Sequence, residues 1–225
     1  MRVRMRVTLL STLKIIYYKQ LVRRSIRIPL SLKRAFRALS PGFMQMKYIL
    51  FNKPYAVLSQ FTSEDGKQSL QDFDFPKGVY PVGRLDYDSE GLLLLTDDNN
   101  FKHKLTDPKF KLPKTYLVQV EHSPSVESLQ QLRDGVVIEG KKTRPAEVRL
   151  LDDDPALPAR SVPIRYRKTV PTAWIELVIR EGRNRQVRKM TAAVGHPTLR
   201  LVRIKVGNIG MEELAPGQWK LIYLS

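Results

Sequence analysis

Apolar residues in this chain recur mostly at alternate positions, in short runs broken by turn residues, and that pattern predicts strands. Tyr48-Ile49-Leu50-Phe51 and Val57-Leu58 read as strands on either side of a Lys53-Pro54 turn. Val79-Tyr80-Pro81-Val82 leads into a charged loop, and Leu92–Thr96 leaves it as a buried strand. Thr115–Val120 alternates, and Val136–Ile138, Ala146–Leu151 and Trp174–Ile179 are further strands. Leu199–Val206 and Trp219–Tyr223 close the sheet. Helical spacing is rarer. Asn99–Leu105 predicts a short helix, and Val126, Leu129 and Leu132 mark another that starts at Ser125 and ends at Gly135. Asn184–Val194 predicts a third, ending at Gly195. Residues 152–171, with acids, prolines and a basic cluster, read as an insertion or long loop. Strands outnumber helices and seldom alternate with them. The expected class is therefore α+β, with a mixed, mostly antiparallel sheet rather than a doubly wound parallel one.

Charge changes this picture at one end of the chain. The formal net charge is +17 over 225 residues, which favours a polyanionic partner such as nucleic acid. Residues 1–46 hold eleven Lys or Arg and no acid, whereas the remainder is only +6. Residues 1–45 are thus expected to be a basic extension, disordered or partly helical, and 46–225 the folded domain. The Ser40-Pro41-Gly42 turn signal marks the boundary. The extension reads equally as an RNA-phosphate arm, a solvated tail, a targeting peptide, or an artefact of a start codon that belongs at Met44 or Met46. There are no cysteines, which excludes disulfides, thiol nucleophiles and thiolate metal sites. His103, His122 and His196 are scattered without metal-ligand spacing, so no metal is expected. No apolar stretch is long enough to span a bilayer, and the composition is compatible with a cytoplasmic location.

Three segments are candidates for chemistry. Gly83-Arg84-Leu85-Asp86-Tyr87-Asp88-Ser89-Glu90-Gly91 packs one Arg and three carboxylates into a loop before a buried strand, so at least one acid is a candidate for pairing. Lys114-Thr115-Tyr116 sets a basic residue and a phenol two apart on a strand, hence on one face. Ile179 to Met190 ends a strand at Gly182 and begins a helix at Asn184, a candidate cap. Arg185, Arg188 and Lys189 then lie near one another beside a positive helix end, a surface suited to anions. Taken singly, each segment also reads as a solvated face or a half-buried strand.

Together they resemble the motifs of the RsuA-type pseudouridine synthases. Gly83-Arg84-Leu85-Asp86 with Ser89-Glu90-Gly91 and Leu92–Thr96 is similar to the family's catalytic loop. Asn52-Lys53-Pro54 resembles its first motif, Lys114-Thr115-Tyr116 its tyrosine strand, and Glu181–Arg188 with Gly195-His196-Pro197 its last motif. The matches run from residue 47 to about 210 in family order. The family's N-terminal S4 RNA-binding domain is not recognisable, which resembles the subgroup acting on large-subunit RNA. Tyr55-Ala56 and Asp97-Asp98 depart from common family residues without touching the proposed chemistry.

The resemblance implies the pseudouridine synthase fold and a reaction that moves the uracil link from N1 to C5, with no cofactor. It puts the essential aspartate at Asp86, as nucleophile on the ribose or in removal of its C2′ proton. It implies Arg188 as the partner that keeps Asp86 charged, with Arg183 second, and Tyr116 against the uracil as a candidate for proton transfer at C5. Arg84 is expected to fill the vacated stack or hold a phosphate, and Lys53, Lys114, Arg183, Arg185 and Lys189 to contact the RNA. The expected partner is 23S ribosomal RNA, bound by a monomer. The alternatives are 16S RNA as substrate, or a non-catalytic RNA-binding or ribosome-assembly factor.

Overall fold

The structure, a computed structural model, describes residues 46–164 and 169–223. Expectations for residues 1–45 lie outside the described residues. Eleven strands and three α-helices are present among those described. In chain order they are β1 Tyr48–Lys53, β2 Tyr80–Pro81, β3 Glu90–Thr96, α1 Asn99–Thr106, β4 Lys114–Glu121, α2 Val126–Asp134, β5 Val137–Ile138, β6 Lys141–Lys142, β7 Glu147–Leu150, β8 Thr172–Ile179, α3 Gln186–Ala193, β9 Thr198–Val206, β10 Ile209–Gly210 and β11 Trp219–Ile222. The sheet order is β11-β1-β3-β9-β4-β8-β7, with β2 on β3 and β10 on β9. Every pairing is antiparallel except β3 with β9. This is the expected α+β arrangement, and the short β5–β6 hairpin stands apart from the sheet.

Alternation sorts the strands onto two faces. Ile49, Phe51, Leu93, Leu95, Val118, Val120, Ile175, Leu177 and Leu201 face the main core. There they meet Leu129 and Leu132 of α2 and Val187 and Met190 of α3. Phe51 also packs edge-on against Phe73 and Phe75. The other face carries a smaller core of Leu50, Val82, Leu92, Leu94 and Val206 under Leu105 of α1. Because β3 is covered on both sides, its run of leucines is continuous rather than alternating, as in a central strand.

Helix ends follow the expected chemistry in two cases. Ser125 caps α2 by accepting from Ser128 N–H at 3.2 Å, and Gly135 ends it at φ 85°. Asp98 caps α1 through Asn100 and Phe101 N–H. Val57-Leu58 forms no strand. Leu58 makes one isolated bridge to Ser69, because the segment is used in turns that hold the charged loop. Residues 152–164 carry no regular element, in line with a long loop.

Candidate active site

The 83–89 loop joins β2 to β3 and is pinned through its backbone. The buried Ser59 hydroxyl accepts from Leu85 N–H at 3.1 Å and donates to Leu85 C=O at 2.7 Å. Ala56 N–H donates to Tyr87 C=O at 2.9 Å, and Ser89 N–H to Asp86 C=O at 3.1 Å. With Leu85 buried in the main core, the next residue, Asp86, projects outward with its side chain 34% exposed.

The opposite wall is the turn between β8 and α3. Gln186 accepts from Arg183 N–H at 2.9 Å and donates to the Glu181 carboxylate. The expected cap at Asn184 is corrected. The capping position is Arg185, in a left-handed conformation (φ 49°, ψ 33°) with no side-chain cap bond, while Asn184 accepts from Lys189 Nζ at 3.2 Å. A left-handed residue other than glycine costs about 1–2 kcal/mol and is concentrated at functional sites. Here it aims the Arg185 fork back at the loop. Nη1 and Nη2 donate to the two Asp88 carboxylate oxygens at 2.8 and 2.7 Å, and Nη1 lies 4.0 Å from Asp86.

Arg188 is also corrected. It was expected to pair with Asp86, but its Nη2 donates to Asp88 C=O at 2.6 Å and its Nη1 to Thr198 C=O at 3.2 Å, with Nε 3.3 Å from the Asp88 carboxylate. The acid that Arg185 and Arg188 both pair with is therefore Asp88 rather than Asp86. Burial alone would raise its carboxyl, but the Arg185 hydrogen bonds and the charges of Arg188 and Arg185 outweigh that and hold it below the usual carboxylate range. Burial lowers the Arg188 guanidinium against the pull of Asp88. Arg183, the expected second partner of Asp86, instead donates to the β5–β6 hairpin at Ile138 C=O (2.7 Å) and Lys141 C=O (3.1 Å).

Between these walls lies a cavity of about 680 Å³, whose lining includes Asp86, Tyr116, Arg84, Lys114, Arg183 and Arg185. Its size suits a small-molecule-sized guest. Tyr116 projects from β4 and is 8% exposed. Lys114 donates to Leu112 C=O at 3.2 Å, and burial, then the charge of Arg203, lower its ammonium. Arg84 is exposed and donates to Gln60 Oε1 at 3.3 Å. Lys53, Arg188 and Lys189 do not line the cavity. Lys189 pairs with Glu139 at 2.6 Å. Lys53 is corrected as an RNA contact. It ends β1 on the core-facing side, is wholly buried, and donates to Pro54 and Val57 carbonyls at 2.8 and 2.7 Å. Burial pushes its ammonium down to about 7, against the charges of Glu90, Asp88 and Asp86.

The sequence reading did not single out Asp88, Ser59 or Arg203 as site residues, nor the buried Glu90–Arg200 pair. In that pair Arg200 donates to both Glu90 oxygens at 3.0 and 2.8 Å, tying the start of β3 to β9. An arginine within the apolar run Leu201 to Val206 was the one available signal for Arg203. Among the described residues no group of three or more His, Asp or Glu is placed to hold a metal ion.

An antiparallel sheet with one parallel seam, and a loop aspartate facing a tyrosine-lined cavity under an arginine-rich turn, define a class of RNA-modifying isomerase. The chain belongs to the RNA pseudouridine synthase family, whose description, RNA pseudouridylate synthase, matches residues 47–193. It is similar in particular to the ribosomal large subunit pseudouridine synthase E of Xanthomonas axonopodis pv. citri, at 60% identity over 170 residues, or 75% of this chain and 90% of that protein. The protein of the same name from Vibrio parahaemolyticus is 52% identical over 178 residues, or 79% of this chain and 74% of that one. A crystal structure of a pseudouridylate synthase matches with a TM-score of 0.66 at 30% identity, covering 80% of this chain and 71% of that one. No helix among the described residues is long and apolar enough to cross a membrane.

Proposed function

We propose that this chain isomerises a uridine of 23S ribosomal RNA to pseudouridine, with Asp86 as the essential carboxylate. The observation that carries the reading is the cavity that Asp86 and Tyr116 line together, with Asp86 left out of the arginine forks that occupy Asp88. Similarity to large-subunit synthases supports 23S over 16S RNA as substrate. A protein that only bound RNA would have no use for a phenol and a carboxylate on one cavity. The enzyme is read as a cytoplasmic monomer that needs no cofactor, since the reaction neither oxidises the nucleotide nor moves a group off it.

The target uridine must leave its stack to enter the cavity, at an unpairing cost of a few kcal/mol. Exposed Arg84 is placed to fill the gap or hold a phosphate. Lys114 and Arg185 supply positive charge at the cavity wall, which positions the RNA backbone without reading sequence. Asp86, 4.0 Å from Arg185, is placed to attack the ribose or accept its C2′ proton. Tyr116 lies against the base as the candidate for proton transfer at C5.

Tritium release from RNA labelled at C5 of uridine tests this. Wild type is expected to release tritium from 23S but not 16S transcripts, and Asp86→Asn to release none while still binding RNA. Full activity in Asp86→Asn removes its role, and release from 16S alone moves the substrate to the small subunit.

A further inference from the structure

Lys53, Gly91, Arg203, Tyr116 and Leu177 are successive cross-strand neighbours through β1, β3, β9, β4 and β8. They form the row in which the main core face gives way to the cavity. Lys53 turns onto its own loop carbonyls and Gly91 has no side chain. The polar groups this row adds to the cavity lining are therefore Tyr116 and Arg203.

Arg203 is only 5% exposed, and among the described residues its side chain makes one hydrogen bond, from Nε to Leu92 C=O at 2.9 Å. Among the described residues no carboxylate lies within ion-pair distance of it and no acceptor binds either terminal nitrogen. Arg183 is committed to hairpin carbonyls, Arg185 and Arg188 to Asp88 and Arg200 to Glu90, while Arg84 is exposed at the cavity rim. The charge of Arg203 also reaches Lys114 and Lys53, where it adds to the depression that burial imposes on both ammoniums. A buried cation left without an anion is costly, and that cost is offset when a guest brings negative charge.

The reaction itself generates such a guest. When the C1′–N1 bond breaks, its electron pair stays on the ring, and uracil becomes an anion spread over N1, O2 and O4. C1′ is meanwhile held as an ester of Asp86, or as a C1′=C2′ double bond once Asp86 has taken the C2′ proton. The C5–C1′ bond then forms with a ring electron pair as the ester bond breaks or the proton returns to C2′, the C5 proton leaves, and N1 takes up a proton. A neutral uridine presents no full charge to Arg203, whereas the detached ring does. A group that binds the intermediate better than the substrate lowers the barrier.

We propose that Arg203 is a catalytic residue whose free guanidinium nitrogens bind a carbonyl oxygen of uracil and stabilise the ring as an anion between cleavage at N1 and closure at C5. The assignment rests on the pseudouridine synthase reading and holds for either role of Asp86, because both routes release the same anion.

The test compares wild type and Arg203→Gln in single-turnover reactions on 23S transcripts, with RNA affinity measured separately. Tritium release is expected to slow by about 100-fold or more, with affinity unchanged within about threefold. The second arm uses transcripts containing 5-fluorouridine, consumption of which is followed by mass spectrometry. Fluorine stabilises the ring anion, so the deficit of the variant is expected to shrink about tenfold on that RNA. Weakened affinity with an undiminished rate identifies a phosphate contact and overturns the proposal. So does an equal deficit on both RNAs, which marks a structural role. Should Arg203→Gln fail to fold, Arg203→Lys carries the same two-substrate comparison. An inactive wild type overturns the function reading and this assignment with it, whereas an active wild type beside an equally active Arg203→Gln overturns this assignment alone.

Discussion

Two arginines converge on Asp88, Arg185 through both carboxylate oxygens and Arg188 through the backbone carbonyl. Hydrogen bonds to charged groups contribute about 1.5–3 kcal/mol each. Asp88→Asn is therefore expected to lower stability by about 1–3 kcal/mol and to slow turnover, as read by denaturant unfolding and tritium release. The folded carboxyl of Asp88 lies below its ordinary 3.8, so its contribution is full above that pH and is lost as pH falls through the folded value. Lys53 works in the opposite sense. Its ammonium is near 10.5 when unfolded and about 7 when folded, so between those values the unfolded chain binds more protons. Stability should then rise with pH across that window, by at most about 1.4 kcal/mol per unit. Denaturant unfolding of wild type and Lys53→Met at roughly pH 7, 8 and 9 checks this, and parallel stability curves would show that Lys53 does not titrate there.

At the scale of elements, the parallel seam between β3 and β9 sets the site. Gly91 sits there at φ 98°, and a Cβ at that position would lie 2.3 Å from Arg203 C=O. No side-chain motion relieves a clash with backbone. Gly91→Ala should cost roughly 2–4 kcal/mol and separate β9 from β3, with loss of both melting temperature and activity. Ser59 is the second fastening. Ser59→Ala leaves Leu85 N–H and C=O without their partner, at a cost of about 1–3 kcal/mol. Because it loosens the Asp86 loop rather than the RNA surface, its effect is expected in kcat more than in KM, measured by steady-state kinetics. The left-handed Arg185 belongs to this scale as well. It gives the β8–α3 turn the shape that sends an arginine fork across to the 83–89 loop.

At the scale of the whole molecule, charge governs encounter with RNA. About two thirds of the excess positive charge lies in residues 1–46, and the rest of the chain is only +6. Each phosphate contact made by Lys or Arg adds about 0.7–0.9 to the slope of log affinity against log salt. We propose residues 1–45 as a phosphate-contacting arm, so their deletion should weaken RNA binding and flatten that slope without changing the modified site. An unchanged slope in filter-binding titrations removes the arm from recognition.

What the sequence determined by itself was local. Alternating apolar positions define strands because side chains on a strand have period two, and continuous leucines mark β3 as covered on both faces. The motifs around Asp86, Tyr116 and Arg185 were legible because each lies within a few consecutive residues. Which charges meet was decided only by tertiary structure. Asp88 and Arg188 are a hundred residues apart and touch because the 83–89 loop and α3 flank one cavity. Lys53 looked like an RNA contact until its place at the end of β1 turned it inward. Arg203 reads in sequence as one basic residue in an apolar strand. It lines the cavity because β9 is inserted between β3 and β4, beside a glycine that lets the backbones close. Partner choice among buried charges depends on which strands are neighbours, and strand order is a property of the folded sheet that no local pattern encodes.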